Sequence, residues 1–409
     1  MKRLGLGLII AGPFVAAALG VWLTRATPAD STQPLAHGVL ASANVLLVSI
    51  DALRADHVGA YGTGGALTPA IDQLAAQGLV FDRTYAHVPQ TLPSHATLMT
   101  ARYPYRNGIR VDGGAQLAPD VPTIASAFHA AGYRTAAFVG ASVLGARTGL
   151  NRGFDEYDDR ISRSAAESTA GERTADQVLA PAFEWIAGND SRWFVWVHLY
   201  DPHEPYSPPE PYRSRFSSEP YDGEVAYVDA ALGLFLGRLR AAGALGHTLV
   251  VVTSDHGESL GEHGELAHGR LAYDATLRVP LIMWALDRIR PGSFSRTMRL
   301  VDVAPTVLDL VGLAPLEHAD GRSIRPFVAG ERPFDDAESY FEAPNEEGIR
   351  DGAPVRGLVS GQTKLIEAAV PELYDLAADP AEQNDIYAQQ PGRARDLERR
   401  LDALTRAPR

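Results

Sequence analysis

Short apolar runs alternate along the chain with longer segments whose apolar residues recur at helical spacing. Apolar runs bounded by polar or turn residues are typical of buried strands. Strands are expected in NVLLVSID at 44–51, RTAAFVG at 134–140, RWFVWVHL at 192–199 and TLVVVTS at 248–254. Helices are expected in TPAIDQLAAQGLVF at 68–81, with Gly78 at the end of the helix, in VPTIASAFHAAG at 121–132 and in VAYVDAALGLFLGRLRAAG at 225–243. This alternation predicts an α/β fold with a largely parallel sheet flanked by helices.

The pattern changes after about residue 330. A polar, acidic stretch comes first, followed by two short strand candidates and a charged helix; they are GERPFDDAESYFEAPNEEGIRDGAP at 330–354, VRGLVSG at 355–361, TKLIEA at 363–368 and RARDLERRLDALTR at 393–406. We therefore predict a main domain over 43–330 and a small C-terminal α+β subdomain over 331–409. Residues 25–42 are rich in Thr, Ala, Pro and Ser and are typical of a linker.

The first 24 residues have the pattern of a membrane-targeting segment. Lys2 and Arg3 precede an uncharged apolar run over 4–23, and a transmembrane helix needs roughly 20 such residues. The basic start favours an N-terminus held in the cytoplasm. We expect a retained signal anchor or, because AAALG offers small residues for cleavage, a signal peptide. Either would place the body of the protein outside the cytoplasm, at the membrane or in the periplasm.

Composition excludes several classes of function. Lys plus Arg is 37 against 50 Asp plus Glu, a net charge of -13, which argues against nucleic acid as a partner. The chain has no cysteine, so disulfides, thiolate ligands, a cysteine nucleophile and a lipoprotein anchor are excluded. An anionic substrate is not excluded, because a bound divalent metal can dominate the field inside a site.

Polar side chains follow three of the expected strands. Asp51 ends the first, His198 and Asp201 end the third, and Asp255 with His256 end the fourth. Ligands of open α/β sheets bind outside the carboxyl ends of the strands. Asp and His are ligands for Mn²⁺, Zn²⁺, Mg²⁺ or Ca²⁺, so Asp51, Asp255 and His256 are predicted to form one metal site. The alternative for any single Asp is a helix N-cap.

The stretch TLPSHATLMTAR, 91–102, predicts a helix with proline in its first turn. Thr91 or Ser94 can serve as its N-cap. A hydroxyl at this place also lies in a positive field that favours an alkoxide and attracts an anionic group. A metal bound to that oxygen would lower its pKa further. Thr91 is thus either a cap or a nucleophile.

Seven segments, in order, resemble the sulfatases of the alkaline phosphatase superfamily over nearly all of 43–390. They are NVLLVSIDALRADHVGAYG at 44–62, TLPSHATLMTARYP at 91–104, HLYDPHEPY at 198–206, TLVVVTSDHGESLGEHG at 248–264, LRVPLIM at 277–283, VDVAPTVLDLVGL at 301–313 with DGRSI at 320–324, and ELYDLAADPAEQND at 372–385. The resemblance implies a sulfatase-like sandwich: a large mixed, mostly parallel central sheet flanked by helices, with a small C-terminal subdomain.

The chain departs from the sulfatase pattern at positions that matter for chemistry. The residue aligned with Thr91 is, in sulfatases, a Cys or Ser that is oxidised to formylglycine, and oxidation of Thr would give a ketone instead. The signature arginine is replaced by His95, and the usual second Asp beside Asp51 is Ala52. These differences argue against sulfate ester hydrolysis by the usual route.

Elsewhere in the superfamily, unmodified Thr is the nucleophile of phosphodiesterases, nucleotide pyrophosphatases and phospho-headgroup transferases. The resemblance thus implies that Thr91 attacks phosphorus directly, forming a phosphothreonine that water or an alcohol resolves. The metal ligands would be Asp51, Thr91, Asp255 and His256. The ion would be Mn²⁺, Zn²⁺, Ca²⁺ or Mg²⁺ in one site, with a second site left open.

Accessory roles follow from the same resemblance. His203 aligns with a substrate-binding His, and His95, if protonated, would replace the lost arginine. His268 or His263 would act as a general acid or second-metal ligand, and Asp201 could join His203 in a second site. Arg102 would anchor the helix.

The sequence therefore predicts a metal-dependent hydrolase of sulfate- or phosphate-type esters. Its substrate would be a small molecule or the ester of a glycan or lipid headgroup, and its N-terminal helix would contact the membrane. Three alternatives remain: a sulfuric ester hydrolase with an unmodified site, a phospho-headgroup transferase, and a non-catalytic binding member of the family. Transferases of this kind usually carry several transmembrane helices, and a binding member would be expected to lose metal ligands.

Overall fold

The computed structural model describes residues 35–62, 66–113, 115–161, 172–333, 337–344 and 355–406. The expected targeting segment over 1–24, and residues 25–34 of the expected linker, lie outside these ranges. Within the described ranges, every helix is too short or too polar to cross a bilayer.

Thirteen strands are described: β1 (Asn44–Ile50), β2 (Leu79–Tyr85), β3 (Arg134–Val139), β4 (Glu156–Asp158), β5 (Trp193–Leu199), β6 (Thr248–Ser254), β7 (Arg278–Val279), β8 (Leu281–Trp284), β9 (Gly292–Arg299), β10 (Ser339–Ala343), β11 (Val355–Ser360), β12 (Thr363–Glu367) and β13 (Glu372–Asp375). The α-helices in the same ranges are α1 (Pro69–Gln77), α2 (Thr91–Thr100), α3 (Pro104–Asn107), α4 (Ile124–Ala130), α5 (Ala175–Ala187), α6 (Tyr212–Arg215), α7 (Pro220–Ala241), α8 (Asp274–Leu277), α9 (Val303–Leu310), α10 (Arg325–Val328) and α11 (Pro391–Arg406).

Nine strands form the central sheet. Their order is β4-β3-β5-β1-β6-β8-β2-β7, and β9 pairs with β2. Strands β4, β3, β5, β1 and β6 are parallel to one another. Strand β8 is antiparallel to both β6 and β2, and β7 is antiparallel to β2. The predicted mixed, mostly parallel sheet is thus confirmed.

Helices cover both faces of this sheet, which explains why its central strands are apolar without alternation. Along β1, Val45 and Leu47 belong to one core, which also contains residues of α2, α4 and α9. Leu46, Val48 and Ile50 belong to the other, with residues of α1, α5 and α7. The result is a three-layer arrangement whose parallel strands end at one edge.

A separate four-stranded antiparallel sheet follows, in the order β10-β11-β12-β13. Helix α11 packs on it through Leu397 and Leu401, which share a core with Leu358 and Leu365. The small C-terminal sheet is therefore confirmed, while the boundary at 330 remains a prediction.

The helix expected in the segment 68–81 ends beside Gly78 as predicted, but the three residues after Gly78 are not helical. Helix α1 ends at Gln77, and Leu79 begins strand β2. A Cβ at Gly78 would lie 2.6 Å from the carbonyl oxygen of Met283, so the glycine lets the chain pass close to β8. Leu79 is apolar because it lies in a strand.

Candidate active site

Three neighbouring parallel strands bring their carboxyl ends to one place. In the order β5-β1-β6, they deliver His198 within β5, Asp51 just past β1, and Asp255 with His256 just past β6. All four side chains are fully buried. The sheet topology therefore assembles residues that are far apart in sequence, as the pattern of polar strand ends predicts.

One carboxylate oxygen of Asp255 is bonded to backbone N–H groups, and the other is not. Its Oδ1 accepts the backbone N–H groups of His256, at 2.9 Å, and Ala52, at 3.2 Å. Ala52 has a left-handed backbone, with φ of 54°. The Oδ2 atom of Asp255 is buried and has no hydrogen-bond partner among the described residues. That oxygen is thus oriented for a ligand.

His256 is held in the tautomer that suits a metal. Its Nδ1–H donates to the carbonyl oxygen of Gly257 at 2.9 Å, which leaves the Nε2 lone pair free to coordinate. Nε2 lies 3.4 Å from Asp51 Oδ1 and 3.5 Å from Asp255 Oδ2.

Asp51, Asp255 and His256 fit a divalent metal ion. Their ligand atoms lie within 4.8 Å of one another, and ligands about 2.1 Å from a tetrahedral ion lie about 3.4 Å apart. Burial, and then the charges of Asp255, Asp112 and Glu258, raises the pKa of Asp51 well above its usual range. Two buried carboxylates this close need a cation to remain ionised.

Thr91 joins this cluster as the first residue of α2. Its Oγ1 lies 3.4 Å from both carboxylate oxygens of Asp51 and 3.4 Å from His256 Nε2. The hydroxyl is therefore as close to these ligand atoms as they are to one another, and it can serve as a fourth ligand.

Neither Thr91 nor Ser94 caps helix α2, so the N-cap interpretation is wrong for both. The Ser94 hydroxyl instead donates to the backbone carbonyl oxygen of Asp255 at 2.5 Å. The N–H of Leu92, in the first turn of α2, donates to Asp112 Oδ1 at 2.8 Å, from a distant loop. With its cap supplied from elsewhere, the Thr91 hydroxyl is left to face the metal ligands.

His95 does not have the surroundings expected of a substitute for a cationic arginine. Its Nδ1–H donates to the carbonyl oxygen of Thr91 at 2.7 Å. Its Nε2 lies 2.9 Å from Ser49 Oγ, which also accepts the indole N–H of Trp196 at 2.9 Å. Burial lowers the pKa of His95. The His95 ring is neutral and fully buried, and both of its nitrogens contact protein groups. It therefore positions Thr91 through a hydrogen bond and does not replace a cationic arginine.

His268 and His203 form one side of the site. The ring of His268 lies 4.3 Å from that of His256 and 4.8 Å from that of His203. His268 Nδ1 is 2.9 Å from Glu258 Oε1. Burial lowers the pKa of His268, but the hydrogen bond and charge of Glu258 outweigh that effect and raise it. Burial lowers the pKa of His203 to about 4, which favours a neutral ring.

His198 and Glu258 were not predicted as site residues. His198 Nε2 lies 3.3 Å from Asp51 Oδ2, and the N–H of Gly140 points to His198 Nδ1 at 3.3 Å. His198 Nε2 is buried without a hydrogen-bond partner among the described residues, so it faces the Asp51 carboxylate without bonding to it. Glu258 orients His268. His198 ends a predicted strand and Glu258 follows the Asp-His pair, and these signals were available in the sequence.

Three weaker candidates lie away from the cluster. Asp201 Oδ2 accepts the N–H of Ala175 at the start of α5, so it stabilises that helix. His263 stacks on Tyr273. Arg102 donates to the carbonyl oxygen of Glu317, in keeping with an anchoring role.

Comparison with known proteins identifies the family of the chain. A family model described as "Sulfatase" matches residues 43–313. The chain belongs to the sulfatase family. A second model, "N-sulphoglucosamine sulphohydrolase, C-terminal", matches residues 261–406. The sulfatase resemblance predicted from the motifs is thereby confirmed.

Several sulfatase relatives align over most of their length. The chain is 26% identical to arylsulfatase A of Bos taurus over 432 residues, covering 90% of this chain and 84% of that protein. It is 23% identical to a Delta 4,5-hexuronate-2-O-sulfatase of Bacteroides thetaiotaomicron over 413 residues, covering 84% of each. The fold matches the phosphonate monoester hydrolase of Agrobacterium radiobacter with a TM-score of 0.74 at 22% identity, covering 88% of this chain and 95% of that one. These relatives support an ester hydrolase.

Proposed function

We propose that this sulfatase-family protein hydrolyses phosphoesters by direct attack of the unmodified Thr91 hydroxyl on phosphorus. One observation carries the proposal: Thr91 Oγ1 lies 3.4 Å from Asp51 and from His256, at the first residue of a helix. The helix N-terminus favours negative charge both on this oxygen and on a bound substrate.

Asp51, Asp255, His256 and Thr91 would hold the metal. A bound divalent ion lowers the pKa of an oxygen ligand and neutralises charge that develops on the transferred group. Two carboxylates, one imidazole and one hydroxyl suit Mn²⁺, Zn²⁺, Mg²⁺ or Ca²⁺. Asp255 is already oriented by backbone N–H groups, and His256 is oriented by the Gly257 carbonyl.

The bonds and protons balance in two steps, with Thr91, His268 and solvent as the proton donors and acceptors. In the first, a bond forms between Thr91 Oγ1 and phosphorus while the bond from phosphorus to the leaving oxygen breaks. Thr91 loses its proton to solvent, and His268 Nε2 protonates the leaving oxygen. In the second, His268 takes a proton from water as water attacks phosphorus, and Thr91 leaves and regains a proton from solvent.

The first experiment compares three aryl esters on the purified protein reloaded with Mn²⁺ or Zn²⁺. The esters are 4-nitrophenyl sulfate, 4-nitrophenyl phosphate and bis(4-nitrophenyl) phosphate. Thr91→Val keeps the side-chain shape but removes the hydroxyl, so we expect kcat to fall by at least about a thousandfold. Thr91→Ser should retain measurable activity. Mass spectrometry of acid-quenched reactions should find a phosphorylated peptide that contains Thr91.

Thr97 provides the matched control on the same helix, because its hydroxyl donates to the Pro93 carbonyl and not to the site. Thr97→Val should keep most of the activity. If Thr91→Val also stays active, Thr91 is not the nucleophile. Turnover of the sulfate ester alone would instead favour a sulfuric ester hydrolase with an unmodified site. Transfer to added alcohols in preference to water would favour a transferase.

We also propose an extracytoplasmic location, on the strength of the basic start and the uncharged run over 4–23. A reporter that is active only after export, fused behind residue 42, should be active. The N-terminal mass of the mature protein then separates a retained anchor from a cleaved signal. An inactive reporter would contradict export.

A further inference from the structure

Asp112 lies beside the site, although no motif contains it. Its Oδ1 accepts the N–H of Leu92 at 2.8 Å, and its own N–H donates to Gln90 Oε1 at 2.9 Å. Both contacts are with residues that adjoin Thr91. The residue is exposed, whereas Thr91 is buried beneath it. A loop thus fixes a carboxylate at the first turn of α2.

This is the place that a substrate anion is expected to take. Free N–H groups at the start of a helix bind the oxygens of phosphate and sulfate groups, and Asp112 already occupies the N–H of Leu92. The adjoining space is built for a ligand, because Asp255 Oδ2 is buried there without a hydrogen-bond partner in the described ranges. Since Asp112 contacts the residue directly after Thr91, we expect the non-bridging oxygens of an ester attacked by Thr91 to lie close to the Asp112 carboxylate.

The other charges at the site do not offset Asp112. The carboxylates of Asp51, Asp255 and Glu258 are fully buried nearby. The site therefore holds four carboxylates, of which a divalent ion balances two and the protonated ring of His268, beside Glu258, balances a third. The neighbouring charges that act most strongly on Asp51 are all acidic. The position of the family's signature arginine holds His95, a neutral ring bonded to Thr91 and Ser49. A dianionic group would thus meet uncompensated negative charge.

We propose that Asp112 makes this site select esters whose transferred group carries one negative charge over esters whose group carries two. The first class comprises phosphodiesters and sulfate monoesters, and the second comprises phosphate monoesters near neutral pH. The inference rests on the proposed attack by Thr91. At an effective dielectric constant of about 40, one additional negative charge on a substrate group about 5 Å from the carboxylate weakens binding by more than tenfold.

The test is a ratio of specificity constants. For the metal-loaded protein, kcat/KM is measured for bis(4-nitrophenyl) phosphate, a monoanion, and for 4-nitrophenyl phosphate, a dianion. Asp112→Asn removes the charge and keeps an oxygen that can accept from Leu92. We expect the ratio of diester to monoester kcat/KM to fall about tenfold. Raising the ionic strength should lower the ratio in the wild type and leave it nearly constant in Asp112→Asn.

Two controls separate charge from structure. Asp120→Asn makes the same charge change at an exposed position further along the same stretch, and the ratio should stay at the wild-type value. Asp112→Ala removes both the charge and the acceptor, so a role limited to capping α2 would lower both activities together in this variant. An unchanged ratio in Asp112→Asn, with the wild type active and Thr91→Val inactive, overturns the Asp112 assignment alone. A wild type that turns over neither phosphoester overturns the proposed function and this inference together.

Discussion

At the scale of single residues, His95 is expected to position the nucleophile through one hydrogen bond. Its Nδ1–H holds the carbonyl of Thr91. His95→Asn can place an amide N–H at nearly the same point, so it should keep kcat within about tenfold. His95→Leu removes the donor, and a misplacement of about 1 Å costs about a hundredfold in rate. Steady-state kinetics on the reactive ester should show the loss in kcat with KM little changed.

Measurements of folding and metal content show whether a variant of His95 loses activity because Thr91 is misplaced or because the protein is destabilised. Thermal unfolding and metal content of both variants are measured beside kinetics. If His95→Asn loses as much kcat as His95→Leu while both fold and bind metal, the hydrogen bond to Thr91 does not matter. If His95→Leu keeps full kcat, His95 only fills space in the core.

The site residues that can be predicted from the sequence alone are those that directly follow an apolar strand. Asp51, Asp255 and His256 each follow an apolar run, and adjacent parallel strands bring them together. Asp112 carries no such signal. It lies in a loop, and the pattern of apolar and polar residues does not show that this loop returns to Leu92. The neutral role of His95 was also not predictable, since it depends on complete burial and on the contact with Ser49.

At the scale of elements, the apolar runs in the sequence predict the parallel strands of the central sheet but do not predict its antiparallel strands. Strands β1, β3, β5 and β6 are buried on both faces and have continuous apolar sequences. Strand β9 alternates with polar residues, and β7 has two residues. Strand β2 begins directly after Gly78, so its first residues continue the helical pattern of α1. Short or half-exposed strands thus depend on pairing that sequence periodicity does not show.

Helix α7 carries a buried carboxyl that should make stability depend on pH. Burial, and then the charge of Asp201, raises the pKa of Glu224 from its ordinary value of 4.5 to about 8. Because the folded state binds this proton more tightly, its stabilisation is complete below about pH 4.5 and is lost as pH rises through about 8. Glu224→Gln should remove this dependence and be more stable than the wild type at pH 8.5, by on the order of a few kcal/mol.

Urea unfolding between pH 5 and pH 8.5 measures this effect. Glu184→Gln is the matched control, since Glu184 is an exposed residue that pairs with Arg238 on the surface. It should shift stability by less than about 0.5 kcal/mol at every pH. Parallel pH profiles for the wild type and Glu224→Gln would show that the carboxyl stays ionised in the folded protein.

At the scale of the whole molecule, one buried lysine ties the small sheet to the central domain. Lys364 on β12 is fully buried, and its Nζ lies 2.9 Å from Asp274 on α8 and 2.8 Å from Glu382. Lys364→Met would leave both carboxylates without a cation. Removing one partner of a buried ion pair typically costs about 3–5 kcal/mol, so we expect a loss of that order in urea unfolding. The exposed pair of Arg399 and Asp396 provides the control, and Arg399→Met should cost less than about 0.5 kcal/mol.

The pH dependence of this loss tests the ion pair specifically. Burial raises the pKa of Glu382, the charge of Lys364 opposes that rise, and the outcome is about 7. Without Lys364 the pKa should rise further, so the folded variant must either keep a buried proton or bury an unpaired charge. The destabilisation by Lys364→Met should therefore be larger at pH 8.5 than at pH 5.5, and Glu382→Gln in the same chain should recover part of it. A loss that is equal at both pH values would mean that Lys364 stabilises the protein through contacts other than these ion pairs, such as those of its Nζ with the rings of Phe341, at 5.4 Å, and Tyr273, at 6.0 Å.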